Sequence, residues 1–439
     1  MHAAESLEST GRLQLDLPKT SFQLSCGATL LVSPRSTAPI TAIQVHLRGG
    51  FSLDEPETLG TAFLTGALAT EGTSKHSEEQ LADQLEPFGG SISGDSTGLS
   101  GQIVGDQWKL LADLLADCLL EPTYPKRNVE RQRGRLLQRL RVQEDDARLQ
   151  AARKFRKLIY GGHWLGRTER GTAETIARIE RRHLTAFHRK NWVASRAVIS
   201  VCGDVDPKAV QRYFNRRLAG WKTGRPLAEV KHEFPKPGHR TDSFKADRQQ
   251  VHLFLGHLGV RRRDPDFVPL MVMDHVLGTG PGFADRISRR LRDEEGLAYT
   301  VSANIHSSAG SHPGLFTAYI GTSPDKLSQA TRGFIEEIRR IRDEPIDSAE
   351  LELVHSYLTG SFVLGFERAS RRAQYLVFAH RQELPEDHLT ELPDRIRAVT
   401  LEDVQRVAQQ HLRPEHLCAS GGGPVSQKEL KAVLESALG

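Results

Sequence analysis

Few of the residues able to ligate a metal or move a proton stand at spacings that would let them act together. His252 and His257 are five apart in a run patterned as a strand, where odd offsets put side chains on opposite faces. His183 and His188 are five apart in a helical run, neither i+3 nor i+4, so they do not share a helix face. Glu352-x-x-His355 has the spacing of a di-metal carboxylate helix. Such sites need two copies and two further Glu, and the motif occurs once. All of these read as structural. The GTGPG segment at 278–282 lacks the Gly-Lys-Ser/Thr of a phosphate loop, and Pro281 removes an amide donor. It reads as a turn opening a helix over 283–292. Cys26, Cys118, Cys202 and Cys418 contain no Cys-x-x-Cys and sit in apolar contexts, so they read as buried free thiols rather than two disulfides or a zinc site.

Composition narrows the class. A chain of 439 residues with 38% hydrophobic and 26% charged residues is an ordinary globular protein of two or three domains. The formal charge of +4 is carried by arginines spread along a helix (Arg131, Arg133, Arg135, Arg139, Arg141), a solvated face rather than a basic block. No helix-turn-helix, zinc finger or aromatic-rich strand accompanies it, so nucleic acid is not an expected partner. The first nineteen residues carry early acids and no apolar core, and no apolar run of about eighteen residues occurs. These features predict a soluble cytoplasmic protein without a membrane span.

The elements that must position any site fall into two matching sets. Strand-like runs at 22–33, 41–50, 91–105 and 196–204 alternate with helical runs at 78–88, 106–120 and 129–143. Ser77 caps the first of these helices, and Asp347 to Glu350 opens another. The second half replays the first at an offset of about 220 residues. TAIQVHLRGG is echoed by QVHLFLGHLG (250–259), and both halves end helix, strand, helix. The segment 230–240, rich in Pro, Lys and His, reads as a linker. The chain is therefore expected to be α+β: domain one over 1–229, the linker, and domain two over 241–439, each a mainly antiparallel sheet covered by helices.

Four segments, in order, resemble the pitrilysin/insulinase family of zinc peptidases, which includes the mitochondrial processing peptidases. They are LRGGFSLDEPETLGTAFLTGALATEGT (47–73), YGGHWLGRTERGTAETI (160–176), ADRISRRLRDEEGLAYTVSANI (284–305) and AVTLEDVQRVAQQHL (398–412). The resemblance spans nearly the whole chain and implies two related domains facing each other. In the family the first segment carries His-x-x-Glu-His, two zinc ligands on one helix face with a water-activating Glu between them. The matching positions here are Phe63, Gly66 and Ala67, none of which binds zinc or takes a proton. The family's third ligand, a Glu about 75 residues on, falls on Arg139, a fixed cation, and Glu144 is further along the same helix.

The resemblance also implies a surviving function. A family Arg and a Tyr seven residues later reach toward the zinc site and hold the substrate carbonyl and its developing oxyanion. Arg292 and Tyr299 keep that pair. Read without the family, they are a helix-end Arg and a strand Tyr packed in a sheet. The strand at 89–101 matches the edge to which family substrates add. The expectation is a non-catalytic subunit, inactive alone and without a metal or other cofactor of its own. It would complete the active site of a homologous His-x-x-Glu-His zinc subunit that acts on peptides. The alternatives are an inactive scaffold or a peptide-binding protein of the same fold.

Overall fold

β-Branched and aliphatic residues at alternate positions make strands wherever one face can be buried, and the first such run folds back on itself. Thr20–Gln23 (β1) pairs antiparallel with Thr29–Pro34 (β2), Phe22 opposite Leu30. The computed structural model describes residues 17–35, 38–228 and 233–439. The first unit adds Ile40–Leu47 (β3), Ser91–Asp95 (β4), Gly98–Val104 (β5) and Ala197–Gly203 (β6), giving a six-stranded sheet ordered β1-β2-β6-β3-β5-β4. Its strands are antiparallel except for the β2–β6 pair. Ile43, Val45 and Leu47 point into a core made with Thr61–Ala69 (α1), Glu78–Leu85 (α2), Trp108–Leu120 (α3), Lys126–Glu144 (α4), Arg181–Asn191 (α7) and Pro207–Arg217 (α8). The short helix Ala173–Arg178 (α6) lies beside them.

The second unit repeats this plan. Thr241–Lys245 (β7), Val251–Leu258 (β8), Val301–Asn304 (β9), Leu315–Thr322 (β10) and Cys418–Gly423 (β11) form a sheet ordered β7-β11-β8-β10-β9. Only β7–β11 is parallel, as β2–β6 is in the first sheet. Phe267–Leu277 (α9), Leu327–Asp343 (α10), Ser348–Leu364 (α11), His388–Arg397 (α13), Leu401–His411 (α14) and Gln427–Leu438 (α15) cover one face. The duplication read from sequence is thus a duplicated topology, and the fold class is α+β.

The opposite face of each sheet carries one helix, and here the chain crosses over. Ala147–Tyr160 (α5) belongs to the second unit, where Ala151, Phe155 and Ile159 pack on Phe254 and Tyr319. Ala369–Arg381 (α12) belongs to the first, where Ala373, Leu376 and Val377 pack on Leu31, Ala42 and Val198. The units are 1–141, 168–231 and 363–385 for one, and 142–167, 232–362 and 386–439 for the other. A single cut near 230–240 would therefore leave two segments in the wrong half. Within that linker, residues 230–232 lie outside the described residues, and 233–240 form no helix or strand. The Gly-rich end of β11 has a packing reason, since a Cβ on Gly422 would come within 2.0 Å of Ala147 O at the start of α5.

Local chemistry follows the sequence in most places. Ser77 and Gln80 form a reciprocal capping box on α2. All four cysteines are free and buried. The helix expected over 283–292 is different. A 3-10 turn (Pro281–Phe283) contains Gly282 in the left-handed region at φ 60°, and Ser288–Glu294 is π-helical, with Glu295 N bonding Arg290 O at 2.9 Å. Asp285 holds its start by accepting from Ser288 N and Oγ at 2.7 and 2.9 Å.

Buried histidines make the second unit acid-sensitive. Burial holds His257 and His388 neutral, each with its pKa pulled down to about 4. An unfolded histidine titrates near 6.5. Below that pH the unfolded chain takes up protons that the folded chain refuses until about pH 4. The contribution of these two groups is then constant above about pH 7 and falls as pH drops from about 6.5 to 4, by about 1.4 kcal/mol per pH unit for each. Urea unfolding across that range is expected to show the fall, and His257→Gln to flatten it.

Candidate functional site

The helix that would carry a zinc motif is α1, and its start is firmly held. Both oxygens of the buried Asp54 carboxylate accept backbone N–H groups from it, Gly60 and Ala62, each at 2.8 Å. This satisfies two donors that a helix start otherwise leaves open. Leu64 and Leu68 face the core. Phe63 and Ala67 are half-buried, and the Arg170 guanidinium stands 5.2 Å from the Phe63 ring.

Gly66, which the sequence resemblance matches to the family's catalytic Glu, has no room for any side chain. A Cβ there would lie 1.7 Å from Asp95 O, and a Cβ on Gly94 would lie 2.1 Å from Gly66 O. Helix and strand meet backbone to backbone, so β4 fills the space in which a catalytic carboxylate would stand. With Phe63 and Ala67 lacking ligand atoms, these residues do not fit a zinc ion, and no step through a metal is assigned to this chain.

The position that the resemblance matches to a third ligand lies apart from this helix. Arg139 and Glu144 are exposed on α4, and among the described residues neither is bonded to α1. The contact between α4 and α1 runs instead through Glu71, two residues past the helix. Glu71 accepts from Arg131 at 2.9 Å and from Gln132, and Arg131 also donates to Glu78 at 2.6 Å. Asn128 joins Glu71 O to Glu78 at 2.9 and 3.1 Å. Glu71 is 8% exposed, so this network satisfies a buried carboxylate. Sequence reading missed it, because Arg131 looked like one more arginine of a solvated row.

In the second unit Arg292 and Tyr299 do come together. The Arg292 guanidinium lies 5.5 Å from the Tyr299 ring centre, and its Nε is 3.7 Å from Asp293. The π-helical turn carries Arg292, and neighbouring Arg290 anchors that turn by pairing with Glu295, Glu336 and Glu337. Tyr299 precedes β9 and is 86% exposed, so it is not a sheet-packed tyrosine. The exposed phenol presents a donor outward, and the guanidinium beside it is partly buried.

The remaining candidates serve the fold. His183 accepts from Glu180 N at 2.9 Å, and His188 bonds Leu119 O at 2.9 Å. His252 meets Tyr319 Oη at 3.0 Å, while His257 accepts from Arg413 N at 3.1 Å. Asp264, Asp266 and His411 lie together, but Asp266 is already paired with Arg406 at 2.8 Å and His411 at 2.7 Å. β4 is an edge strand, with Ser91, Ser93 and Asp95 exposed.

Residues 30–172 match the family model "Insulinase (Peptidase family M16)", and residues 178–358 match "Peptidase M16 inactive domain". An uncharacterised zinc protease of Bacillus subtilis is 25% identical over 409 residues, covering 90% of this chain and 95% of the relative. Another from Mycobacterium tuberculosis is 26% identical over 398 residues, covering 88% and 90%. The crystal structure of a peptidase M16 inactive domain from Pseudomonas fluorescens superposes with a TM-score of 0.85 at 22% identity, over 94% of this chain and all of that one. A protease from Helicobacter pylori gives 0.83 at 18% identity, over 92% and 99%. No helix among the described residues is long and apolar enough to cross a membrane. With family models matched over 30–172 and 178–358 and the fold shared over most of its length, the chain belongs to the insulinase family of M16 peptidases.

Proposed function

We propose that this chain is a non-catalytic subunit of a two-subunit zinc metallopeptidase. It lends Arg292, Tyr299 and a peptide-binding surface to the zinc site of a homologous His-x-x-Glu-His partner. The observation that carries this reading is the contrast between two places. At Gly66 the backbone of β4 excludes a catalytic side chain, while Tyr299 is displayed with the Arg292 guanidinium beside it. Guanidinium and phenol donors suit the negative charge that grows on a peptide carbonyl oxygen during hydrolysis. The exposed edge of β4 suits an extended peptide, whose backbone pairs with a free strand.

That same edge favours a second reading, a peptide-binding or scaffold protein that acts without a peptidase. Purification of the full chain from its own cells, with identification of what co-elutes, separates the two. The subunit reading expects a partner that carries His-x-x-Glu-His, no peptide cleavage by the chain alone and cleavage by the pair. Elution of the chain by itself, or with no such partner, transfers the weight to the second reading.

A further inference from the structure

Strand β3 delivers a buried imidazole and a cation to one end of the first sheet. Ile43, Val45 and Leu47 enter the main core, so alternation sends Ala42, Gln44 and His46 to the face under α12. Arg48 extends that series, its N–H still bonded to Arg196 O at 2.9 Å. On α12, Leu376 and Val377 pack against this face, and His380 and Arg381 lie one turn further on. Two basic groups from the strand and two from the helix therefore converge.

Among the described residues no carboxylate pairs with Arg48 or Arg381. Lys19 adds positive charge beside His380, and the acid acting there is Glu383, just past the helix. His46 is 4% exposed, and its Nε2 has no hydrogen-bond partner. Desolvation, with Arg381 and Arg48 behind it, pulls the His46 pKa down to about 3. Arg48 and Arg381 are themselves exposed, so both guanidinium groups are open to a ligand. The dipole of α12 accounts for cations in its last turn but not for those from β3. Along the same face runs a cavity of about 210 Å³ lined by Gln44, Ser93, Ser100, Gln102, Ser370 and Gln374, side chains suited to a peptide backbone.

We propose that Arg48 and Arg381 form a receptor for a peptide carboxylate, beside the buried His46 imidazole. Guanidinium forks match a carboxylate in both geometry and charge. The carboxylate is either the C-terminus of a peptide lying in the adjoining groove or an acidic side chain within it. The inference rests on the peptide-handling reading above only for the source of the carboxylate. Its test uses this chain alone, so failure to find a partner subunit leaves it standing.

Fluorescence anisotropy of the full chain with three labelled hexapeptides tests it. One is neutral with a free C-terminus, one is the same peptide amidated, and one is amidated with a central Glu. The carboxylate-bearing peptides are expected to bind at least tenfold more tightly than the neutral amide. Preference for the free C-terminus or for the Glu identifies the source. Arg381→Gln and Arg48→Gln are each expected to remove that tenfold gain, Arg381→Lys to keep part of it, and Arg332→Gln, exposed in the other unit, to keep all of it. Equal binding of the three peptides, binding of none, or an unchanged preference in folded Arg381→Gln and Arg48→Gln would overturn the assignment.

Discussion

Replacing Gly66 with Ala is expected to destabilise the first unit by about 3 kcal/mol, the upper end of overpacking costs. Alanine would otherwise favour the helix by about 1 kcal/mol over glycine, so helix propensity alone predicts the opposite sign. Geometry decides, because the new methyl would lie 1.7 Å from Asp95 O and backbone cannot swing aside as a side chain can. The drop is read as a shift in the urea midpoint of that unit. A larger consequence follows for attempts to revive catalysis. Phe63→His, Gly66→Glu and Ala67→His together, even with Arg139→Glu, are expected to give a protein that misfolds or holds no stoichiometric zinc. Metal analysis and circular dichroism check this. A folded variant with one tightly bound zinc would show that β4 yields, and would sink the idea of a closed site.

The second large effect concerns turnover by the assembled pair. Arg292→Ala, or Tyr299→Phe, is expected to lower kcat of the complex by about 10²-fold, the scale of losing one oxyanion donor. KM should move little, because the interaction strengthens only as charge develops. The pair is accessible enough for such a role, with Tyr299 86% exposed and Arg292 stacked on it. Folding should be untouched in Tyr299→Phe, since an exposed phenol removes little from a core. Full activity in both variants would reduce Arg292 and Tyr299 to relics and favour the scaffold reading.

Much of this was legible in the sequence, and the exceptions have physical causes. Strand alternation and helix caps placed β3, β6, α2 and α4 to within a few residues, because those signals are local. The absence of ligands at Phe63, Gly66 and Ala67 was equally plain. What glycine at 66 does was not, since its partner, Asp95, lies across the fold and leaves no local trace. The π-helical turn around Arg292 escaped notice because an i+5 bond has no distinctive composition. The carboxylate receptor was hidden because His46 and Arg48 are some 330 residues from His380 and Arg381.

The exchanged helices bear on how this chain is made. Neither sheet can be covered on both faces by contiguous sequence, since α12 completes the first unit and α5 the second. A growing chain on the ribosome therefore cannot finish its first unit until residue 385 has emerged, long after the strands of that unit have been synthesised. Until then the apolar face of Leu31, Ala42 and Val198 stays uncovered, a surface for chaperones to hold and a hazard where they are scarce.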